Sequence, residues 1–132
     1  MEIHHIGYLT KNLRGGVEEF CKLGFKPETE MVLDEERKIQ IIFMVNGKYR
    51  IELIQPKDSS SPFYELLKKY KNTPYHFCYL TKNINQKIEE LRKNGYLLLK
   101  EPLEAPAIKN YLAAFMLHPN MGIIELLETE DG

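Results

Sequence analysis

Two glutamates lie where carboxylates are expensive. Glu52 interrupts the apolar run Ile51-Glu52-Leu53-Ile54, and Glu125 interrupts Ile123-Ile124-Glu125-Leu126-Leu127. A carboxylate inside such a run either faces solvent from one side of a strand or is buried with a partner, because an unpaired buried charge is very costly. For either glutamate alone, an exposed place on an amphipathic strand is the simpler reading. A lone histidine is likewise more often a satisfied core or surface group than a ligand. Here the residues are correlated: His5 precedes Glu52 much as His76 precedes Glu125. Two imidazoles and two carboxylates suit a divalent Zn, Ni, Co or Mn ion, and the lack of a cysteine in the set argues against a closed structural zinc. One divalent ion per chain, held by His5, Glu52, His76 and Glu125, is therefore expected.

The correlation comes from an internal repeat. His5 to Phe25 (HIGYLTKNLRGGVEEFCKLGF) laid over His76 to Tyr96 (HFCYLTKNINQKIEELRKNGY) gives 10 identities in 21 ungapped positions, where ordinary residue frequencies predict about one. Ile51-Glu52-Leu53 recurs as Ile124-Glu125-Leu126, with the spacing drifted by two residues. The chain reads as one domain of two copies of one module, approximately 1–60 and 70–132. Duplicated modules that pack about a pseudo-twofold axis would carry the four residues to one point.

The elements that must position these groups follow in the same order in each copy. His5 to Thr10 and His76 to Thr81 are short strands. Asn12 and Asn83 are N-cap candidates for helices whose apolar residues recur at helical spacing, Leu13, Val17, Phe20 and Cys21 in one, Ile84, Ile88 and Leu91 in the other. Gly24 and Gly95 stand where a left-handed C-cap residue is wanted. Strands are then predicted at Ile39 to Val45 and Tyr49 to Ile54, with Asn46-Gly47 as a hairpin signal, and at Leu112 to Leu117 and Gly122 to Leu127, with a turn at His118-Pro119-Asn120. Between the modules, Ser59-Ser60-Ser61-Pro62 predicts a helix through Tyr70 with Pro62 at its first position. Strand alternation puts His5 on one face with Gly7 and Leu9, and His76 with Cys78 and Leu80, while Tyr8 and Tyr79 face the helices. Cys78 reads as a packed thiol because Gly7 is its equivalent. His4 faces away from His5, and His118 lies in a turn, so neither is a ligand candidate.

Composition narrows the partners. With 132 residues, 43% hydrophobic and 28% charged, the chain has the size and balance of one globular domain. Its net charge of −1 offers no basic excess for a phosphate backbone or an anionic membrane. The longest apolar stretches, such as Tyr111 to Leu117, fall short of the roughly 18 residues of a membrane span, and Met1-Glu2 does not begin a basic leader. Neither nucleic acid nor membrane is expected, and the cytoplasm is the expected compartment. Two cysteines, Cys21 and Cys78, without CxxC spacing make no disulfide framework.

From Ile3-His4-His5-Ile6-Gly7 through Ile51-Glu52-Leu53 and Tyr75-His76-Phe77 to Ile124-Glu125-Leu126, the chain resembles the vicinal oxygen chelate superfamily. Its members include glyoxalase I, methylmalonyl-CoA epimerase, ring-cleaving dioxygenases and antibiotic-resistance proteins. The resemblance implies an α+β fold of tandem βαβββ modules related by a pseudo-twofold, forming an eight-stranded metal-binding cup. The ligand order His, Glu, His, Glu is similar to glyoxalase I, since the epimerases usually carry Gln at the position of Glu52. The stretch from Glu101-Pro102 through Phe115-Met116-Leu117-His118-Pro119 to Gly122-Ile123-Ile124-Glu125 is more similar to the epimerases. Gln40 stands at the position of the epimerases' second catalytic Glu, and Leu9 and Pro56 stand where bacterial glyoxalase I has glutathione-binding Arg and Asn.

The resemblance thus implies a glyoxalase-type lyase or isomerase. It would perform a one-base proton transfer on the hemithioacetal of a 2-oxoaldehyde, with the thiol carrier left open by Leu9 and Pro56. Glu125 is its leading base and Glu52 the second candidate. Gln40 and Lys109 are candidate substrate contacts, with Lys57 and Arg37 as further cations for an anionic tail. The alternatives are racemisation of an acyl-CoA thioester, as by methylmalonyl-CoA epimerase, and a non-catalytic module that binds a small molecule or metal. Exposed edge strands favour a homodimer.

Overall fold

The computed structural model describes residues 1–130. Contacts divide the chain into two compact units, His5–Tyr75 and, together, Met1–His4 with His76–Gly132. Each unit is built on the same plan.

In the unit of residues 5–75, strand β1 (Ile3–Leu9) leads into helix α1 (Leu13–Lys22), followed by β2 (Lys26–Pro27), β3 (Val32–Asp34), β4 (Ile39–Asn46), β5 (Tyr49–Pro56) and helix α2 (Tyr64–Tyr70). The strand order is β2-β4-β5-β1, with β3 also pairing β4. Strands β1 and β5 run parallel, Gly7 opposite Glu52, and β4 and β5 run antiparallel, Phe43 opposite Glu52. The expected cap is present: Asn12 is extended and its side chain accepts from the Gly15 N–H at 2.9 Å. Gly24 takes φ +96° past the helix end, a conformation that suits glycine.

The other unit repeats this with β6 (Thr73–Thr81), α3 (Ile84–Arg92), β7 (Leu97–Leu98), β8 (Leu103–Ala105), a 3-10 turn at Pro106–Ile108, β9 (Tyr111–His118) and β10 (Gly122–Glu128). The order β6-β10-β9-β7 mirrors the first. Asn83 caps α3 through the Gln86 N–H at 3.0 Å, and Gly95 takes φ +92°. Since Gln86 fills the place of Gly15, the cap does not explain the glycine pair Gly15-Gly16.

Each unit has its own core between helix and sheet. Leu13, Met44, Ile51 and Leu53 form the first, with Tyr8, Val17 and Phe20 packed against it. Ile84, Ile88, Met116, Ile124 and Leu126 form the second, with Tyr79 and Leu91. The helix periodicity is as expected at Leu13, Val17 and Phe20 and at Ile84, Ile88 and Leu91, and Tyr8 and Tyr79 turn toward the helices; Cys21, expected on the buried face of α1, is exposed.

Among the described residues the strand count is ten rather than eight, for one reason that acts twice. Each module's second strand is broken into two short pieces that pair with the same neighbour. Lys26 lies opposite Val45 and Val32 opposite Ile41, so the register slips by two residues between the pieces. Leu97 opposite Leu117 and Leu103 opposite Ala113 show the same slip. A bulge of this kind bends a strand and re-aims its side chains. At its rim, the Glu28 N–H donates to the Phe43 carbonyl at 2.8 Å, and the Leu99 N–H to the Phe115 carbonyl at 3.0 Å. The modules keep the βαβββ order.

Helix α2 begins at Tyr64, two residues later than expected, and has no side-chain cap. Ser61 is engaged elsewhere: its hydroxyl donates to the Arg37 carbonyl at 2.9 Å and accepts from the Phe63 N–H. That contact ties residues 58–63 into a turn and delays the helix.

Candidate metal centre

Parity along the strands decides what each side chain meets. On β1, His5 and Leu9 are buried on the face that also carries Gly7, whereas Ile6 and Tyr8 join the helix-side core. On β5, Glu52 lies on the His5 side of the sheet, since its neighbours Ile51 and Leu53 belong to that core. The parallel pairing then sets Gly7 beside Glu52, and His5 Nε2 stands 3.4 Å from Glu52 Oε1. Both side chains are buried, His5 at 1% and Glu52 at 5% exposure.

The second module repeats the arrangement. His76 and Glu125 are buried at 3% and 4% exposure, and His76 Nε2 lies 2.9 Å from Glu125 Oε1, within hydrogen-bond distance. Cys78 takes the place of Gly7 beside Glu125 and is fully buried, a small group packed next to the carboxylate. Cys21 and Cys78 are both free thiols.

Two phenylalanines complete the pattern, and sequence reasoning missed them. Phe43 is the cross-strand partner of Glu52 and stands edge-on to the His5 ring, centroids 5.2 Å apart at 75°. Phe115 is the partner of Glu125 and stands edge-on to His76 at 5.3 Å and 89°. The signal was present in the sequence, for Phe43-Met44 and Phe115-Met116 occupy equivalent places in the repeat.

The candidate substrate contacts are placed as follows. Gln40 pairs with Gln55 in register, so it lies on the opposite face of β4 and β5 from Phe43 and Glu52. Gln55 itself accepts from the Leu13 N–H at the start of α1, at 2.7 Å. On the Glu52 side, β4 presents Ile39, Ile41 and Phe43, all buried and apolar. Gln40 is thus not beside Glu52. Lys109 sits exposed in a left-handed turn conformation, φ 52°, after the 3-10 turn. Arg37 is folded back on Asp34, Nη1 to Oδ2 at 2.9 Å, with the Arg37 N–H donating to Oδ1 at 3.0 Å. Lys57 is exposed and its N–H donates to the Lys38 carbonyl. A surface cavity of about 350 Å³, lined by Tyr8, Lys11, Gly15, Gly16, Phe20 and Asn72 among others, opens on the helix side of β1, away from the His5 ring.

The donor chemistry fits a divalent ion. All four side chains are buried, and each offers an imidazole nitrogen or a carboxylate oxygen. Buried carboxylates need a compensating positive charge, and neutral imidazole with carboxylate is a common donor mixture for Zn, Mn, Co or Ni. Among the described residues no helix is long and apolar enough to cross a membrane.

Solved structures of similar fold carry the comparison further. A protein designated BH1468 from Bacillus halodurans matches with TM-score 0.85 at 23% identity, over 97% of this chain and 94% of that one. Methylmalonyl-CoA epimerase from Mycobacterium tuberculosis matches with TM-score 0.83 at 22% identity, over 96% and 86%. A variant of the Streptomyces coelicolor methylmalonyl-CoA epimerase in complex with 2-nitronate-propionyl-CoA matches with TM-score 0.84 at 19% identity, over 98% and 97%. At these identities the likeness shows the fold. A search of curated protein sequences finds no match. The family model for the glyoxalase/bleomycin resistance protein/dioxygenase superfamily matches residues 4–115, and the chain belongs to that superfamily, the vicinal oxygen chelate fold.

Proposed function

We propose that this chain is a metal-dependent isomerase that moves a proton at a carbon next to a thioester carbonyl, with His5, Glu52, His76 and Glu125 as ligands of one divalent ion. The observation that carries the reading is the repetition of a buried His–Glu pair, one in each module, with an imidazole Nε2 facing a carboxylate oxygen in both. Such an ion, when bound, polarises a carbonyl and stabilises the enolate left by deprotonation. The protein's part is to hold the ligands in a dry setting and to supply a base. Glu52 and Glu125 are both carboxylates able to take a proton, and each module contributes one. Inversion of a stereocentre requires removal of a proton from one face and return on the other, which two carboxylates serve better than one.

By resemblance Gln40 stands at the position of the epimerases' second catalytic Glu, yet it lies on the far side of the sheet from Glu52 and is not the partner base of this reading. Structural neighbours that are methylmalonyl-CoA epimerases, one of them crystallised with a nitronate analogue of an acyl-CoA, support an acyl-CoA thioester as the substrate class. The second reading is glyoxalase-type conversion of a 2-oxoaldehyde hemithioacetal to a 2-hydroxyacyl thioester, which the glutamate at position 52 favours. That reaction needs one base acting between adjacent carbons, and Glu125 is assigned to it.

The test is a substrate panel in D2O with metal-loaded protein. Loss of optical activity in a chiral 2-methyl-branched acyl-CoA, with deuterium entering at C2, supports the first reading. Turnover of a hemithioacetal without acyl-CoA exchange moves the assignment to the second. Saturable binding with no exchange in either substrate leaves a binding module.

A further inference from the structure

We infer that Phe43 and Phe115 are positioning residues that fix the ring orientation of His5 and His76. The inference rests on the proposed metal role of those histidines, but its first observable exists without any ion. The χ2 torsion of histidine is a terminal sp³–sp² torsion with a broad, roughly two-fold preference. The side chain's own rotamer therefore does not determine where Nε2 aims. Something outside the residue must.

In each module two contacts meet the imidazole: a carboxylate oxygen faces Nε2, and a phenylalanine ring packs T-shaped against the ring itself. The ring centroids lie 5.2 and 5.3 Å from the imidazoles, at 75° and 89°, inside the range of favourable edge-to-face aromatic pairs. The phenylalanines are themselves held from two sides. Each is directly opposite the glutamate of its own module, Phe43 to Glu52 and Phe115 to Glu125, so one strand pairing sets ring and carboxylate together. Each is followed by a methionine of 0% exposure, Met44 or Met116, locked in the helix-side core. The carbonyl of each accepts a hydrogen bond at the rim of the strand break, from Glu28 or Leu99. The broken strand thereby acquires a purpose: the bulge anchors the backbone of the residue that orients the imidazole.

Two modules that have diverged over most of their surface keep the same three side chains in the same relation. A volume-filling role would be met by any large aliphatic residue, and the neighbouring positions on these strands are in fact Ile41 and Ala113. An aromatic edge at both sites points to orientation of the ring rather than to bulk.

The experiment compares Phe115→Leu, which keeps apolar bulk without a ring, with Phe115→Tyr, which keeps the ring at a half-buried position, and adds Phe43→Leu for the other module. Imidazole ring order is read by NMR relaxation of the ring C–H groups in the metal-free protein, and cobalt affinity by chelator competition. The leucine variants should fold, lose ring order at the neighbouring histidine and bind cobalt about 10- to 100-fold more weakly, the usual cost of disturbing what orients a metal ligand. Phe115→Tyr should restore both. Unchanged ring order and cobalt affinity in both leucine variants, or equal losses in Phe115→Leu and Phe115→Tyr, overturns the inference. A wild-type protein that binds no cobalt overturns the metal reading instead, and the metal-free ring order still decides the role of the phenylalanines.

Discussion

Replacing Glu125 by Gln should change stability in opposite senses with and without metal. Glu125 is 4% exposed and its Oε1 lies 2.9 Å from His76 Nε2. The metal-free protein must bury that carboxylate against the imidazole with no metal charge to compensate it. The glutamine side chain keeps the shape and can still accept that hydrogen bond, while it removes a charge whose burial costs several kcal/mol. In chelator, Glu125→Gln should therefore unfold at the wild-type temperature or above it. His76→Ala should behave differently, because it strands the carboxylate, and removal of one member of a buried charged pair costs about 3–5 kcal/mol. The variant His76→Ala/Glu125→Gln should recover part of that loss.

With a divalent ion at about 100 times its dissociation constant, the wild type gains about 2.7 kcal/mol. For a chain of this length each kcal/mol is worth roughly 3–5 °C, so its melting point should rise by roughly 8–13 °C. Glu125→Gln should rise by less than half as much. Calorimetric scans of the four proteins in chelator and in zinc measure all of these shifts. Loss of more than about 1 kcal/mol by Glu125→Gln in chelator would refute the reasoning, since the carboxylate would then be a net stabiliser of the fold.

Three further outcomes are expected. Asn83→Ala, which removes the acceptor of the Gln86 N–H, should cost about 1 kcal/mol in denaturant titration, and Asn12→Ala a similar amount. Gly24→Ala forces a side chain onto φ +96° with its Cβ 3.2 Å from Asn46 Nδ2, and should cost about 1–3 kcal/mol in the same assay. Asp58 accepts from the Ser60 hydroxyl and N–H, which holds its carboxyl below the usual carboxylate range. A depressed folded-state value means that its contribution to stability is present above the ordinary carboxylate value and is lost as pH falls through the folded one. Carboxyl NMR should record the depressed titration, and Ser60→Ala should raise it toward the ordinary value.

The repeat made most of the module legible. Both Asn caps and both left-handed glycines follow from aligning residues 5–25 with 76–96, and the His–Glu pairing in each copy from the recurrence of Ile51-Glu52-Leu53 as Ile124-Glu125-Leu126. The break in the second strand did not follow, because Lys26-Pro27 and Val32-Leu33-Asp34 are too short to carry a period and are defined only by their pairing with β4. The placement of Gln40 was within reach. A two-residue hairpin loop pairs Asn46 with Tyr49, and counting inward sets Phe43 against Glu52 and Gln40 against Gln55. A one-residue change of register inverts every face, so the turn at Gly47-Lys48 held the answer that family resemblance to a second base concealed. Phe43 and Phe115 escaped notice because an apolar residue in a strand signals a core before it signals anything else.

Strand β1 straddles the division of the chain, since Met1–His4 group with residues 76–132 while His5–Leu9 group with the rest. The Glu2 carbonyl accepts from the Leu80 N–H at 2.9 Å. During synthesis residues 1–4 emerge well before the unit they complete. At about 5–20 residues per second, translation of residues 76–132 alone takes roughly 3–11 s, so the unit of residues 5–75 has time to form while these four wait. A nascent chain halted with Tyr75 just clear of the ribosome and the later residues still inside it should accordingly protect its α1 core from exchange and leave Glu2 to His4 open to a protease. The two halves of the duplication, although alike in plan, are not interchangeable in time.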